Sequence, residues 1–425
     1  MNSVQLKLAA ISALRQPPEF SRLHLLQSCS EREIRCLLRW FDESGLALYL
    51  LARLEESGQT EPLPRSFISA LHNRAFSNQK RADAMLVEVG RLSTVLTERA
   101  VHHAFLKGVT LVPEFCPVVA LRHQSDIDIL VSTESIDSAK RALRECGYSV
   151  EESLHTGEIH FSKPRTKPPS IHDDIYTSNF QPEVELHTSI WTVFDHVTLE
   201  IPHDFLTRVC THHLNCGRFS RLSTADIFVA QILHGFRHLL GSWIRVAWLF
   251  EIHNFLIGYW DDRSLWLEIT NRLSDDSILR NVFGLMLSLT NELFPSPISE
   301  VLGEWCIAPL PAALRQWVAQ FGTRWALANL SGSKLSLLAH KEFIEDPASR
   351  RSYLWRRMIP VQGRPGIGRV EHTDIKTSIA SKLATSMFFA KRALFHAGSL
   401  ASFGVDALRW SRVLAPARRR RAISP

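Results

Sequence analysis

The stretch Arg122–Val131, with the sequence RHQSDIDILV, decides the fold. Polar and apolar residues alternate from Asp126 to Ile129, and this pattern predicts a β-strand over Ser125–Val131 with one polar and one buried face. Asp126 and Asp128 lie on the polar face of that strand. The buried face carries Ile127, Ile129 and Val131. Two carboxylates on one strand face repel each other unless water or a divalent cation neutralises them, and such oxygen ligands suit Mg²⁺.

Two further segments accompany this strand. Upstream, Ala104–Gly108 (AFLKG) is an apolar run that ends in Lys-Gly, as expected where backbone turns close to a phosphate. Downstream, Val184–His187 (VELH) is a second alternating run, and it contains a third acid, Glu185. Two acids in the spacing D-x-D also occur on ordinary solvated strand faces. The ordered set of three segments, rather than any one of them, therefore indicates a site.

Taken in order, these segments resemble a known family. FLKG, R-x-x-S-D-I-D-I-L-V, a predicted helix ending near Gly147 and then VELH are similar to the uncharacterised bacterial nucleotidyltransferases of the DNA polymerase β superfamily. The resemblance covers about residues 20–260. It implies an α+β fold, with a small mixed-sheet nucleotidyltransferase core flanked by N- and C-terminal helical regions. One departure is that Val109 follows Gly108, where the superfamily usually has serine or glycine.

Nucleotidyl transfer, the reaction that the resemblance implies, gives the candidate residues their roles. In this reaction a hydroxyl attacks the α-phosphate of a nucleoside triphosphate, and two Mg²⁺ ions stabilise the attacking and leaving oxygens. The expected catalytic and metal-binding residues are Asp126, Asp128 and Glu185. The expected substrate-binding residues are Lys107, Gly108, Arg122, Ser125 and His187.

Several of these residues have a simpler alternative role. Lys107 would supply positive charge to the triphosphate, and Arg122 would hold a phosphate through two hydrogen bonds. Alternatively, Arg122 forms an ordinary ion pair with Asp126 or Asp128. Glu185 has the alternative of an exposed strand acid with no chemical role.

The charge distribution indicates which class of molecule could be the acceptor, that is, the molecule that carries the attacking hydroxyl group. Of the 49 Lys and Arg residues, six are arginines after Ala407, and the remaining basic residues balance the 43 acids. Because the body of the chain is neutral, a long nucleic-acid acceptor is less favoured than a small molecule, peptide or protein. The alternative function is a non-catalytic nucleotide- or partner-binding protein that retains the fold, as the missing serine after Gly108 suggests.

Hydrophobic patterning divides the chain into four parts. They are an N-terminal helical region (1–100), a nucleotidyltransferase αβ core (101–200), a C-terminal helical region (201–400) and a basic tail (401–425). Helices are predicted from about 66 to 100 and again from about 205, and a long loop over 163–182. A helix over 135–143 is expected to begin with Ser135 as its N-cap. The tail is interpreted as a solvated end.

The histidines and cysteines of the chain are candidates for a second site, either beside the nucleotide or around a zinc ion. His234 and His238 lie in an apolar helical pattern, and the resemblance implies a histidine-bearing helix near the nucleotide, with a purely structural role as the alternative. The cluster CTHHLNC contains Cys210, His212, His213 and Cys216. It lacks the second paired half of a zinc site, so core or loop thiols are expected instead.

The compartment follows from similar arguments. Seven cysteines are scattered without a C-x-x-C pair, which fits free thiols in a reducing compartment. The first twenty residues lack a long apolar core, and no uninterrupted apolar stretch reaches membrane-spanning length. The sequence therefore predicts a cytoplasmic protein without a membrane span.

Overall fold

The computed structural model describes most of the chain. The described residues are 3–150, 158–164, 175–176, 181–190, 193–194, 196–215, 217–273, 276–328, 334–358, 386–387, 390, 394, 397–398 and 400–412. The strands are β1 (His103–Leu106), β2 (Asp126–Val131), β3 (Ser149–Val150), β4 (Glu158–Ser162), β5 (Glu183–His187), β6 (Val193–Phe194), β7 (Val197–Thr198), β8 (Val209–Leu214) and β9 (Gly217–Leu222). Within the described ranges, seven strands form a mixed sheet in the order β3-β4-β5-β2-β1-β9-β8, and β6 pairs with β7.

Helices precede and follow the sheet in the chain. Those before or within the strand region are α1 (Ser3–Leu14), α2 (His24–Gln27), α3 (Glu31–Ser44), α4 (Ala47–Glu56), α5 (Arg65–Glu98) and α6 (Ile136–Glu145). Those after it are α7 (Thr224–Leu240), α8 (Val246–Tyr259), α9 (Arg263–Arg272), α10 (Ser277–Leu293), α11 (Glu300–Leu302), α12 (Ala312–Trp317), α13 (Thr323–Ala326), α14 (Ser336–His340) and α15 (Pro347–Met358). The predicted α+β class, with helices flanking a mixed sheet, is confirmed.

Strand β2 occupies the middle of the sheet. It pairs in parallel with β5 and antiparallel with β1, so both of its edges are hydrogen-bonded. The apolar side chains of one sheet face pack against α5 and α6 in a separate core cluster, whose members include Val89, Leu92, Ile127, Ile129, Val131 and Leu143. The acids on the alternate positions therefore face the opposite side, where α7 and α8 lie.

The prediction of a helix from about residue 205 is wrong for residues 209–222. This segment forms the hairpin β8–β9, and β9 pairs in parallel with β1 through Phe105 and Arg221. The sheet therefore extends beyond residue 200. In β8, Cys210 and His212 project from one face and His213 from the other, since side chains alternate along a strand. Cys216 lies outside the described residues.

The ends of α6 illustrate a smaller difference. Ser135 occupies the N-cap position of α6, as predicted, but its side chain makes no capping hydrogen bond. The Ser132 hydroxyl instead accepts a hydrogen bond from the Ser135 amide at 3.2 Å and caps the short 3-10 turn Thr133–Ser135 that leads into α6. Gly147 has φ +83° and follows the end of α6, as the predicted helix stop requires. The predicted helix from 66 to 100 corresponds to α5.

The C-terminal end differs from a solvated tail. Residues 400–412 are helical, and Trp410 in this segment is only 1% exposed. The Lys341 ammonium lies 3.9 Å from the centre of the Trp410 ring, and Arg324 pairs with Asp406. The interpretation as a solvated end is thus wrong for Asp406 and Trp410, whereas Arg409, Arg412 and most other residues of 400–412 are exposed. Residues 413–425 and most of the predicted loop over 163–182 lie outside the described residues.

A separate question is whether any helix could cross a membrane. Among the helices in the described ranges, none combines sufficient length with sufficient apolar character to do so.

The packing of α5 beneath the sheet can be tested with a matched pair of substitutions. Leu92 is 1% exposed and Val87, on the same helix, is 71% exposed. Leu92→Ala is expected to lower the free energy of unfolding by about 2–5 kcal/mol, because it opens a cavity under β2. Val87→Ala is expected to change it by less than about 0.5 kcal/mol. Urea unfolding followed by circular dichroism measures both, and equal effects would contradict this placement of the helix.

Candidate active site

The turn after β1 carries Lys107 and Gly108 into the site. Both residues adopt left-handed backbone conformations, with φ of 51° and 50°. The amide and hydroxyl of Thr110 both donate to the Lys107 carbonyl, at 2.9 and 2.8 Å, and so hold the turn. A Cβ atom on Gly108 would lie 2.0 Å from the side-chain nitrogen of Gln124, which donates to the Asp126 carbonyl at 2.7 Å. Glycine is required here by both the backbone conformation and the neighbouring amide.

Asp128 is the most enclosed acid of the site. Its side chain is 2% exposed, and its Oδ1 atom accepts hydrogen bonds from Lys107 Nζ at 2.6 Å and His187 Nε2 at 2.9 Å. Burial alone would raise the pKa of Asp128, but the Lys107 ammonium and the His187 hydrogen bond hold it well below its ordinary value. Asp128 is therefore ionised, with Lys107 as an internal counter-ion.

Glu185 lies beside Asp128 on the neighbouring strand, because the parallel register of β2 and β5 pairs these two positions. One of its oxygens is 3.1 Å from His160 Nδ1, and the other is 3.6 Å from His187 Nε2. Burial, together with the charges of Asp128 and Asp126, raises the pKa of Glu185 to about 8. In the metal-free protein, this carboxyl group is therefore largely protonated at neutral pH.

Three of these side chains together have the chemistry of a metal site. Ligand atoms of Asp128, Glu185 and His187 all lie within 4.8 Å of one another. The two carboxylates suit a divalent cation such as Mg²⁺ or Mn²⁺, whereas an imidazole nitrogen is a ligand more typical of zinc, iron, copper or nickel. The expected set was Asp126, Asp128 and Glu185. In the structure Asp126 lies outside the three-residue cluster, while His187, expected to bind substrate, lies inside it.

A cavity of about 150 Å³ opens beside β2. Its lining includes six of the predicted site residues, Lys107, Gly108, Arg122, Ser125, Asp126 and Asp128. The remaining lining residues are His123, Gln124, His234, His238, Trp243, Arg245 and Trp248. Burial and the neighbouring Asp128 raise the pKa of Asp126, whose carboxylate accepts a hydrogen bond from Ser125 at 3.3 Å. Glu185 and His187 follow on the next strand, β5.

Arg122 has a partner that the sequence did not suggest. Its Nε donates to Glu251 at 2.9 Å, so the expected alternative of a pair with Asp126 or Asp128 is wrong. Glu251, on α8, is completely buried and also accepts hydrogen bonds from Tyr49 at 3.0 Å and Gln231 at 2.9 Å. This network fixes Arg122 against the cavity wall from three helices, α4, α7 and α8.

The wall opposite the acids is aromatic. The ring of His238 lies 4.2 Å from Trp243 and 4.5 Å from Trp248, and His234 lies 4.4 Å from Trp248, between ring centres. Burial, and then the nearby Lys107 and Arg237, lower the pKa of His238 to about 3, so this ring is neutral. The histidine-bearing helix that the resemblance implied thus lines the cavity.

Comparison with known proteins gives the family. The model of a family described as uncharacterised nucleotidyltransferase matches residues 30–295, more than half of the chain. The chain belongs to this family. The matched range contains β1 to β9 and every cavity-lining residue, and it extends further than the resemblance over residues 20–260 at its C-terminal end. No curated protein matches this nucleotidyltransferase.

Sequence reasoning missed several residues of the nucleotidyltransferase site. Gln124, Trp243, Arg245 and Glu251 belong to no recognisable motif. His160 faces Glu185 because β4 pairs antiparallel with β5, a register that the sequence does not specify. The available signal was a histidine within the alternating polar and apolar sequence EIHFS over residues 158–162.

The internal counter-ion role of Lys107 can be tested directly. Lys107→Met is expected to strengthen Mg²⁺ binding about tenfold, because the ammonium no longer repels a cation at Asp128. The same change is expected to weaken binding of a nucleoside triphosphate with Mg²⁺ about tenfold. Calorimetry measures both, with Lys140→Met on α6 as the control. Weaker Mg²⁺ binding by Lys107→Met would contradict the counter-ion role.

Metal binding is also expected to depend on pH through Glu185. Since a cation needs the ionised carboxylate and the pKa is about 8, Mg²⁺ affinity is expected to rise with pH and to level off above about pH 8. The rise below that value is up to about tenfold per pH unit. Calorimetric titrations between pH 6.5 and 9 measure this profile, and Glu185→Gln should lose the rise. A flat profile for the native protein would contradict the raised pKa.

Proposed function

We propose that the protein is a Mg²⁺-dependent enzyme that transfers a nucleoside monophosphate from a nucleoside triphosphate to a hydroxyl group. The proposed acceptor is a small molecule, peptide or protein. The observation that carries the proposal is the convergence of Asp128, Glu185 and His187 beside a cavity bordered by Lys107, in a chain of the nucleotidyltransferase family.

The reaction makes one bond and breaks one. The acceptor oxygen bonds to the α-phosphorus, the bond from that phosphorus to the bridging oxygen breaks, and pyrophosphate leaves with the displaced electron pair. Divalent cations held by Asp126, Asp128 and Glu185 would supply charge neutralisation for the phosphate oxygens, with His187 orienting Asp128 through its hydrogen bond. Glu185 would complete the attacking side of the metal site, where a bound cation would favour deprotonation of the acceptor hydroxyl, with the proton passing to solvent.

Lys107 has two partners in this scheme. Without a nucleotide it neutralises Asp128, at 2.6 Å. Once bound divalent cations neutralise the carboxylates, the Lys107 ammonium would become available to a phosphate oxygen. Its position at the cavity edge, on a turn held by Thr110, would allow the side chain to change partner without a change of backbone.

The size of the cavity supports a binding mode in which only part of the donor nucleotide is enclosed. Sites that enclose a whole ligand of this class measure about 300–1,000 Å³. A volume of about 150 Å³ instead suits the phosphate groups, with the nucleoside extending outward. ATP, GTP, CTP and UTP are all candidate donors on this basis. A cytoplasmic location remains a prediction, and the six described cysteines, which are all free thiols, agree with a reducing compartment.

The decisive substitution is the double variant Asp126→Asn/Asp128→Asn. It is expected to reduce Mg²⁺-dependent triphosphate binding by about tenfold or more, because it removes two carboxylates from the site. Calorimetry with each of the four nucleotides measures this and identifies the donor. Asp137→Asn, an exposed acid on α6, is the control and should bind like the native protein.

Two outcomes would contradict the proposal. If the folded native protein binds none of the four triphosphates with Mg²⁺, the nucleotidyltransferase function fails. If it binds one tightly but releases no pyrophosphate across a broad panel of acceptors, the non-catalytic nucleotide-binding alternative replaces it.

A further inference from the structure

We propose that Arg245 binds the terminal phosphates of the donor triphosphate. This inference rests on the proposed nucleotide site and names a further residue of it. Arg245 follows the loop 241–244, immediately before α8, and lines the same cavity as Lys107 and Asp126. The family resemblance assigned it no role.

The described contacts of Arg245 include no ion pair with a carboxylate. Its Nη1 lies 3.4 Å from His123 Nδ1. His123 Nε2 lies 2.7 Å from the Ile175 carbonyl, which can only accept, so the imidazole proton is on Nε2 and Nδ1 is the acceptor for Arg245. Burial, and then Arg245 and Arg81, lower the pKa of His123 to about 3. His123 therefore orients the guanidinium as a neutral ring.

Two other enclosed arginines of the described residues have carboxylate partners. Arg122 pairs with Glu251 at 2.9 Å, and Arg221 pairs with Glu114 at 2.5 Å. For Arg245, by contrast, no carboxylate oxygen of the described residues lies within ion-pair distance. Its Nε, like that of Arg221, is shielded from solvent without a hydrogen-bond partner. A buried N–H group without a partner is costly, and an anion in the cavity would supply the missing acceptor.

The charges around the cavity favour a polyphosphate over a single carboxylate. Arg122 is neutralised by Glu251, and Lys107 is paired with Asp128. When cations neutralise the acids, both Lys107 and Arg245 are left facing the cavity without counter-ions. The positively charged side chains of Lys107 and Arg245 match the several negative charges of a triphosphate tail. The planar guanidinium of Arg245 can also donate to two phosphate oxygens at once.

The loop that carries Arg245 is held in place from the C-terminal region. Ser242 has φ +70°, a conformation that residues other than glycine rarely adopt. The Ser336 hydroxyl donates to the Ser242 hydroxyl at 2.9 Å, and Arg357 donates to the Leu240 carbonyl at 2.6 Å. Both anchoring residues lie beyond the family-matched range, which ends at residue 295. The C-terminal helices thus hold the loop that brings Arg245 to the cavity.

The test compares Arg245→Gln and Arg245→Lys with the native chain and with Arg263→Gln, an exposed arginine on α9. Calorimetry with Mg²⁺ uses the preferred nucleoside triphosphate, the matching monophosphate and pyrophosphate. Arg245→Gln is expected to weaken triphosphate and pyrophosphate binding about 10- to 100-fold, and to leave monophosphate binding within about twofold. Arg245→Lys should fall between, and Arg263→Gln should match the native chain.

Other results would overturn the inference. If Arg245→Gln loses equal affinity for triphosphate and monophosphate, Arg245 contacts the nucleoside part of the donor. If its triphosphate affinity is unchanged, Arg245 does not bind the donor and can only contact the acceptor. A melting temperature of Arg245→Gln several degrees below that of native protein would indicate a structural role, because removing a buried charge without a carboxylate partner should not destabilise. Should the glutamine variant fail to fold, Arg245→Lys carries the same comparison. If native protein binds no triphosphate, the proposed function itself fails.

Discussion

The Oδ1 atom of Asp128 is the point on which the site depends. A carboxylate buried in the middle of a sheet is costly unless it is paired and hydrogen-bonded. Lys107 and His187 both bond to this one oxygen. His187 lies on β5 and Lys107 on the turn that follows β1, and these are the two strands that flank β2. The strained turn at Lys107 and Gly108 places the ammonium where it is needed. Since the charge is already balanced internally, the site is stable before any ligand arrives.

A second buried carboxylate, Glu251, organises the opposite side of the cavity. It accepts hydrogen bonds from residues of three separate parts of the chain and fixes Arg122 at the wall. The two carboxylates give the basic side chains different properties. Arg122 is paired with Glu251, Lys107 is paired with Asp128 at the edge of the cavity, and Arg245 has no carboxylate partner among the described residues. In this arrangement Arg122 and Glu251 would hold the cavity wall in place, while Lys107 and Arg245 would supply affinity for a polyanion.

The sequence predicted the parts of the site that local pattern determines. Alternation identified β2 because burial of one face leaves a period of two, and Gly147 marked a helix end because its backbone is left-handed. Strand β9 was missed because its pairing with β1 joins residues more than a hundred positions apart and overrides a weak local pattern. Glu251 and Arg245 were missed for the same reason, since their partners lie far away in the chain.

The most direct test of this account is a crystal structure with Mn²⁺ and a triphosphate analogue that cannot be cleaved between its α- and β-phosphates. Anomalous scattering from manganese locates the ion independently of the nucleotide. The account predicts an ion at bonding distance, about 2.0–2.3 Å, from oxygens of Asp128 and Glu185, with Lys107 moved from Asp128 to a phosphate. An ion that leaves the Lys107–Asp128 pair intact, or a nucleotide bound away from this cavity, would contradict it.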